Sequence, residues 1–250
     1  MKLLAAGAVA GLLIGALGMI GTYALIQRSQ PRALTLAAGA ATSPAPAASP
    51  DSALTQACRR PAVPPSANSG LAGLWEVQPG SIAGYRATEK FAELPSPHVA
   101  VARTQKVSGW VLAGDEAGVR TVETACVAVD LASLHSVDQL PGFNTTDRDR
   151  SSNEFLGVHS YPFAIFQPYP MRVTGVAEHV RLVGVLELHG IRKPVTFDVD
   201  FRLSPSQVAV AGQTTVAVRD YGVEVPQEAG GFVQVEPNIT LEISLVLARG

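Results

Sequence analysis

Apolar and polar residues alternate between positions 195 and 202, and this alternation predicts a β-strand that is buried on one face only. The apolar face carries Val195, Phe197, Val199 and Phe201. The preceding run, Val180 to Leu188, also places Leu186 and Leu188 on a single face. A His-Gly-Ile-Arg-Lys-Pro corner separates the two runs, so we expect a hairpin whose strands face one apolar interior.

Short runs rich in Val, Ile, Thr, Phe and Leu recur throughout the chain after Leu74, with Gly, Pro, Asp and Ser between them. Their regular spacing predicts an all-β fold, an antiparallel sandwich or barrel. The predicted strands are Leu74 to Val77, Ile82 to Phe91, Thr104 to Leu112, Gly118 to Asp130, Phe163 to Arg172, His179 to Leu188, Lys193 to Leu203, Gln207 to Ala217 and Ile239 to Leu247.

One interval, Ser136 to Pro162, is too long for a hairpin loop. Ser151 or Ser152 precedes an acidic residue, as at the start of many helices, so we expect a short helix or cover here. The charged residues at positions 147–150 are expected to be solvated surface rather than contacts for a polar ligand.

The amino-terminal segment is uncharged from Leu3 to Ile26, with Lys2 and Arg28 on either side. As a helix it would be about 36 Å long, enough to cross a bilayer with some tilt. This favours an uncleaved single-pass anchor in residues 1–28. A cleaved secretory signal is the alternative, with Ala38-Gly39-Ala40 as a small-residue pattern.

The next segment, residues 29–71, is rich in Ala, Pro and Ser and lacks apolar periodicity. Such a composition predicts a disordered linker. The expected organisation is therefore an anchor or signal in residues 1–28, a linker in residues 29–71 and a folded domain in residues 72–250. We expect that domain on the extracytoplasmic side of the membrane.

Charge and metal-ligand patterns narrow the function. The chain has 19 basic and 21 acidic residues, interspersed, which argues against nucleic-acid binding. The five histidines lack tight spacing and no CxxC occurs, so no metal site is expected. Cys58 and Cys126 are predicted to form a disulfide in an oxidising compartment, and two separate free thiols are the alternative.

Catalysis is not expected either. Ser81, Asp130 and His135 supply the residue types of a hydrolytic triad, but no G-x-S-x-G turn accompanies them. We therefore predict a protein that is not an enzyme and uses no cofactor.

Four stretches resemble the YceI-like family of lipocalin-like, polyisoprenoid-binding proteins. In chain order they are GLWEVQPGSIAGYR, FLGVHSYPFAIF, VGVLELHGIRKPVTFDVDF and VAVRDYGVEVP. Each stretch alone is weakly specific, but all four occur in the family's order between about Leu74 and Leu247.

The resemblance implies an antiparallel lipocalin-like barrel that holds an isoprenoid chain, of the quinone or polyprenyl phosphate type. Each five-carbon unit would contribute on the order of 3 kcal/mol by burial before ordering costs. The expected ligand-contacting residues are aromatic or aliphatic and lie on strands or near the long interval: Tyr85, Phe91, Trp110, Phe143, Phe155, Phe163, Phe166, Leu186, Leu188, Phe197, Val199 and Phe201.

A second function stays open. The barrel exterior of an envelope interaction or stress-sensing module would bind a protein partner, and its interior would be packed. The carrier hypothesis instead predicts a continuous apolar cavity. The sequence also leaves open whether the barrel forms a homodimer.

Overall fold

The structure, a computed structural model, describes residues 30–36, 52–62, 71–92, 97–116, 119–140, 144–173, 177–226 and 233–250. The predicted anchor in residues 1–28 lies outside these ranges. Within them, no helix has the length and apolar character needed to cross a bilayer.

The described chain is mainly β-structure. Its helices are α1 (Ser52–Ala57) and α2 (Thr145–Phe155), with two 3-10 turns at Leu131–Ser133 and Val218–Tyr221. Its strands are β1 (Gly73–Val77), β2 (Ile82–Phe91), β3 (His98–Thr104), β4 (Val107–Glu116), β5 (Val119–Asp130), β6 (His135–Ser136), β7 (Phe163–Pro168), β8 (Met171–Val173), β9 (Ala177–Leu188), β10 (Ile191–Leu203), β11 (Gln207–Ala217), β12 (Val233–Val235) and β13 (Asn238–Arg249).

Eight strands form a closed antiparallel barrel in the order β1-β4-β5-β7-β9-β10-β11-β13, and pairing of β13 with β1 closes the ring. Strand β2 extends the β1 wall, because both pair with the same edge of β13. Strand β3 pairs with β2 as β4 pairs with β1, so β3 extends the wall formed by β4. The predicted all-β barrel is confirmed.

The alternation of the β9–β10 hairpin is also confirmed. Phe197, Val199 and Phe201 are buried, whereas Asp198 and Asp200 are exposed. Phe197 pairs with Leu182 of β9 across this hairpin, so both strands present apolar side chains to the interior. Burial of one face therefore fixes the register, because a slip of one residue would turn the aspartates inward.

Strand β3 was not predicted. The sequence analysis began a strand at Thr104, but Thr104 ends β3, and β4 begins only at Val107. The inward positions of β3 carry small residues, including Ala100 and Ala102. They give a weak hydrophobic signal although they are fully packed.

The expected linker is wrong for residues 52–62. Helix α1 packs Leu54 against the outer face of the barrel wall, and Cys58 forms the disulfide with Cys126 of β5, with a Cα–Cα distance of 5.6 Å. The predicted disulfide is thus observed. One apolar residue and one cross-link suffice to order a segment whose composition is that of a linker.

A second part of that segment also contacts the barrel. Residues 30–36, which we name the strap, lie on the outer face of β2, β3 and β13. Arg86 Nη2 donates to the carbonyl oxygen of Pro31 at 2.9 Å, and the amide of Leu34 donates to Glu242 at 3.2 Å. The expected linker is therefore seated on the barrel wall along residues 30–36.

Helix α2 begins earlier than predicted. Its N-cap is Asn144, whose side chain accepts a hydrogen bond from the amide of Thr146, and Ser151 and Ser152 lie inside the helix. An Asn oxygen satisfies a free amide at a helix start as well as a serine does. The acidic Asp147 in the first turn adds a favourable interaction with the helix dipole.

Candidate functional site

A cavity of about 800 Å³ occupies the barrel interior. Residues of all eight barrel strands, from β1 round to β13, line it, and between its two ends they are mainly aliphatic or aromatic. At one end the lining includes Arg148 and Phe155 of α2. At the opposite end it includes Arg120 and Thr121 of the β4–β5 hairpin. A volume in this range is typical of pockets for drug-sized or lipid-like guests.

Most of the predicted ligand-contacting residues line this cavity. They are Tyr85, Phe91, Phe155, Phe166, Leu186, Leu188, Phe197, Val199 and Phe201. The rings of Phe166 and Phe197 pack with their centroids 4.9 Å apart, which fixes the central part of the wall.

Trp110 and Phe163 are corrections to that set. Both pack on the outer side of the wall with the Cys58–Cys126 disulfide. The indole nitrogen of Trp110 donates to the carbonyl oxygen of Cys58 at 2.9 Å. These two aromatic residues face the α1 side of the wall rather than the interior, where they were predicted to contact the ligand.

Phe143, the remaining member of the predicted set, lies outside the described residues. Phe155, at the end of α2, is 40% exposed and also lines the cavity. It is therefore an apolar side chain at this end that meets both solvent and cavity.

The α2 end of the cavity is polar. Its lining includes Tyr85, Glu89, Asn144, Asp147, Arg148, Ser151 and Ser152. The hydroxyl of Tyr85 donates to Ser152 Oγ at 3.0 Å, which joins β2 to α2. A guest with an apolar chain and a polar head would match this arrangement of one apolar body and one polar end.

Arg148 is the centre of a buried network at this end. Its guanidinium donates to Asp138 Oδ1 at 2.6 Å and to Ser136 Oγ at 3.0 Å, and it lies 3.4 Å from Glu89 Oε2. His98 Nε2 lies 2.6 Å from the other oxygen of Asp138. The positive charge of Arg148 is thus compensated by protein carboxylates.

These contacts shift the ionisation of the buried acids in opposite directions. Burial would raise the pKa of Asp138, but hydrogen bonds from His98, Arg148 and the Val101 amide outweigh it and lower that pKa to about 2. Burial raises the pKa of Glu89, and Arg148 offsets this only in part. Burial likewise raises the pKa of Tyr85.

This network corrects the expectation that residues 147–150 are solvated. Arg150 and Asp147 form an exposed ion pair, but Arg148 points into the barrel end and Asp149 accepts hydrogen bonds from Ser136. A signal for the network was present in β2, where Glu89 has the same parity as Tyr85 and Phe91.

The residue types of a hydrolytic triad have local partners instead. Ser81 Oγ donates to the carbonyl oxygen of Gln78 at 2.8 Å, at the bend between β1 and β2. Asp130 caps the first 3-10 turn. His135 lies 3.4 Å from the carbonyl oxygen of Ser133. None of these hydrogen bonds joins two of the three residues.

The family model of the YceI-like domain matches residues 87–247, well over half of the 250 residues. The chain belongs to the YceI-like family. The match runs from the second half of β2 to most of β13 and therefore includes α2 and seven of the eight barrel strands, all except β1.

Curated relatives agree with this assignment. The YceI-like chain is 32% identical over 114 residues to a UPF0312 protein of Pseudomonas putida strain W619. This match covers 42% of this chain and 55% of that protein. It is 31% identical over 130 residues to a UPF0312 protein of Pseudomonas fluorescens strain SBW25, and this match covers 48% of this chain and 62% of that protein. The matches thus span little more than half the length of these relatives.

A solved structure shares the fold. It is a polyisoprenoid-binding domain from Saccharophagus degradans, implicated in plant cell wall breakdown, and superposes with a TM-score of 0.50 at 15% identity. The superposition covers 70% of the YceI-like chain and 98% of that domain.

Proposed function

We propose that this protein binds an isoprenoid lipid by enclosing its chain in the barrel. The apolar cavity of about 800 Å³ is the observation that carries the proposal. Each buried CH₂ group contributes about 0.8 kcal/mol, so a chain of a few isoprene units gives useful affinity without any covalent chemistry. The polyisoprenoid-binding domain of the same fold supports this choice of chain.

The charge at the α2 end favours an uncharged head group, such as a quinone or a polyprenol, over a polyprenyl phosphate. Arg148 is already paired with Asp138 and Glu89, and the Asp147 carboxylate lines the same end. A phosphate would meet these carboxylates, and the described residues that line this end offer no cation besides the paired Arg148. Ser152 instead offers a hydroxyl to a carbonyl or hydroxyl head group.

The protein acts, in this proposal, as a membrane-tethered carrier on the extracytoplasmic side. The uncharged run Leu3 to Ile26 supplies the anchor. The Cys58–Cys126 disulfide supports an oxidising compartment. The alternative, an envelope interaction module with a packed barrel, is disfavoured because the interior is not filled.

Neighbouring residues of β9 provide a matched test of chain binding. Leu182 lines the cavity, whereas Val183 is 44% exposed on the outer face. Leu182→Trp fills the cavity, so uptake of farnesol by delipidated protein should fall to roughly a tenth of the wild-type level. Val183→Trp adds the same side chain outside and should leave uptake unchanged. Equal uptake by both variants contradicts binding in the barrel.

The head group is tested with two ligands that share one chain. Farnesol should bind at least about tenfold more tightly than farnesyl phosphate, because only the phosphate brings charge to the α2 end. Glu89→Gln removes one carboxylate from this end, so it should bring the affinities for farnesol and farnesyl phosphate closer together. Tighter binding of farnesyl phosphate would contradict an uncharged head group while leaving chain binding intact.

A further inference from the structure

The strap contacts a buried charge cluster on the outer face of the barrel. Glu242 of β13 is 1% exposed and has the parity opposite to that of Leu241 and Ile243 along the strand. Arg103 Nε donates to Glu242 Oε1 at 2.8 Å, and Arg86 lies 3.8 Å from the other oxygen. The strap covers this cluster and supplies further hydrogen-bond partners to Arg86, Arg103 and Glu242.

The strap is bound chiefly through its backbone. The carbonyl oxygens of Pro31 and Arg32 accept hydrogen bonds from Arg86 and Arg103, and the amide of Leu34 donates to Glu242. Removing the strap would leave these buried donors and acceptors without their partners, at a cost typical of unsatisfied polar groups. Its position on the wall is therefore specific.

Gly84 makes room for this cluster. It lies between the two charged strands, paired with Glu242 on one side and Arg103 on the other. A Cβ at position 84 would lie 2.9 Å from Cγ of Arg103, closer than real Cβ atoms approach. Arg103 can thus cross over Gly84 to reach Glu242.

The strap has a defined direction along the barrel. At its start, Gln30 Nε2 donates to His98 at 3.3 Å, and His98 joins the Asp138–Arg148 network of α2. Near its other end, the carbonyl oxygen of Thr35 accepts from Ser244, which pairs with Ile82 at the beginning of β2. The chain therefore enters the barrel surface at the α2 end and runs away from it.

The proposed anchor ends only a few residues before this point. From Ile26 to Gln30 an extended chain reaches at most about 14 Å. Strand β10, with 13 residues, runs roughly 40 Å along its path, so the β4–β5 end is much farther from the anchor. We infer that the α2 end of the barrel faces the lipid surface that holds the anchor, an inference that rests on the proposed membrane tether.

This orientation serves lipid exchange. Phe155 lines the cavity and is partly exposed at the α2 end, and Ile191, at the start of β10 on the same end of the barrel, is 37% exposed. A lipid that leaves the bilayer at this end would meet an apolar side chain and then the cavity, without crossing bulk water. The opposite orientation would present the β4–β5 hairpin to the membrane instead.

The full-length chain in vesicles of phosphatidylethanolamine and phosphatidylglycerol tests the orientation. Ile191→Cys marks the α2 end, and Val119→Cys, at a similarly exposed site, marks the β4–β5 end. Each thiol carries a fluorophore, and a spin-labelled phospholipid quenches it by proximity. The label at 191 should be quenched at least about twofold more than the label at 119, because quenching decays over a few ångströms.

A strap variant shows whether these contacts set the orientation. Leu34→Pro removes the amide that bonds Glu242, so the two labels should become equally quenched. Leu34→Ala shortens the same side chain but keeps the amide, and it should retain the difference.

The outcomes separate this inference from the proposed function. Protein that fails to float with the vesicles overturns the tether and the orientation together, and leaves lipid binding to its own test. Protein that floats but shows equal quenching at 191 and 119, or stronger quenching at 119, overturns the orientation alone.

Discussion

Single residues of the polar end were the hardest to predict. Arg148 lies between two aspartates, a pattern typical of solvated surface, yet it is buried against Asp138 and Glu89. Its partners come from β2 and from the segment after β6, more than ten sequence positions away in the case of Glu89. Local sequence carries no information about such a pairing, although the inward parity of Glu89 was readable.

Asp138 should make stability depend on pH in the acid range. Its folded pKa of about 2 lies below the ordinary value, so its ionised form stabilises the fold at neutral pH. This contribution, about 2 kcal/mol, is lost as the pH falls from about 5 towards 2. Asp138→Asn should lower the free energy of unfolding by about 3 kcal/mol at pH 7, with a smaller deficit at pH 3.

Urea unfolding at both pH values measures this effect. Asp147→Asn is the matched control, because Asp147 forms an exposed pair with Arg150 and should change stability by no more than about 0.5 kcal/mol. A deficit for Asp138→Asn that stays the same at pH 3 would contradict the ionised role of Asp138.

Secondary-structure elements were predicted where one face alternates cleanly. Strands β2, β10 and β11 match the predicted ranges closely, and in β10 large apolar residues mark the buried side. Strand β3 and helix α1 escaped prediction because alanines and a single buried leucine hold them. Trp110 shows the same limit, since only tertiary structure reveals that α1 covers it.

Helix α2 should control release of the bound lipid. Phe155→Ala removes apolar contact at the cavity end but little buried core, because Phe155 is partly exposed. Dissociation of bound farnesol should be roughly tenfold faster, corresponding to about 1.4 kcal/mol of lost contact. The melting temperature of the ligand-free protein should change by less than about 2 °C.

Stopped-flow competition measures the release rate. Glu154→Ala is the control on the same helix, since Glu154 is exposed and is not a described lining residue of the cavity. A release rate for Phe155→Ala equal to that of the control would remove α2 from the exchange route.

The disulfide should stabilise the outer wall without shaping the cavity. Cys58 and Cys126 are separated by 68 positions, for which loop entropy gives about 4 kcal/mol. The double variant Cys58→Ser, Cys126→Ser should lose about 3 to 4 kcal/mol in urea unfolding and keep its farnesol affinity. A double variant as stable as the wild type would contradict the stabilising role of the disulfide. A loss of farnesol affinity would contradict its separation from the cavity.

The barrel as a whole was predictable from its strand spacing and from the order of the family-like stretches. Its amino-terminal extent was not, because the strap and α1 are held by contacts with distant strands rather than by their own composition. The predicted start of the folded domain at residue 72 leaves out both.

Truncation tests this extent. Residues 72–250 should fold but unfold at a lower urea concentration than residues 30–250, because Glu242 loses its cover and Cys126 its partner. Residues 30–250 carrying Cys58→Ser and Cys126→Ser keep the strap and α1 but lack the cross-link, and their stability should lie between the two. Equal stability of 72–250 and this double variant would show that neither the strap nor α1 contributes.

Native mass spectrometry of the full-length chain, isolated from its membrane in mild detergent, tests lipid binding most directly. The account predicts a bound mass that organic solvent releases and that fragments as an isoprenoid with an uncharged head group. Leu182→Trp should lack this mass, and Val183→Trp should retain it. Protein that carries no lipid, takes up neither farnesol nor a quinone, and shows a filled barrel in an experimental structure would contradict the account.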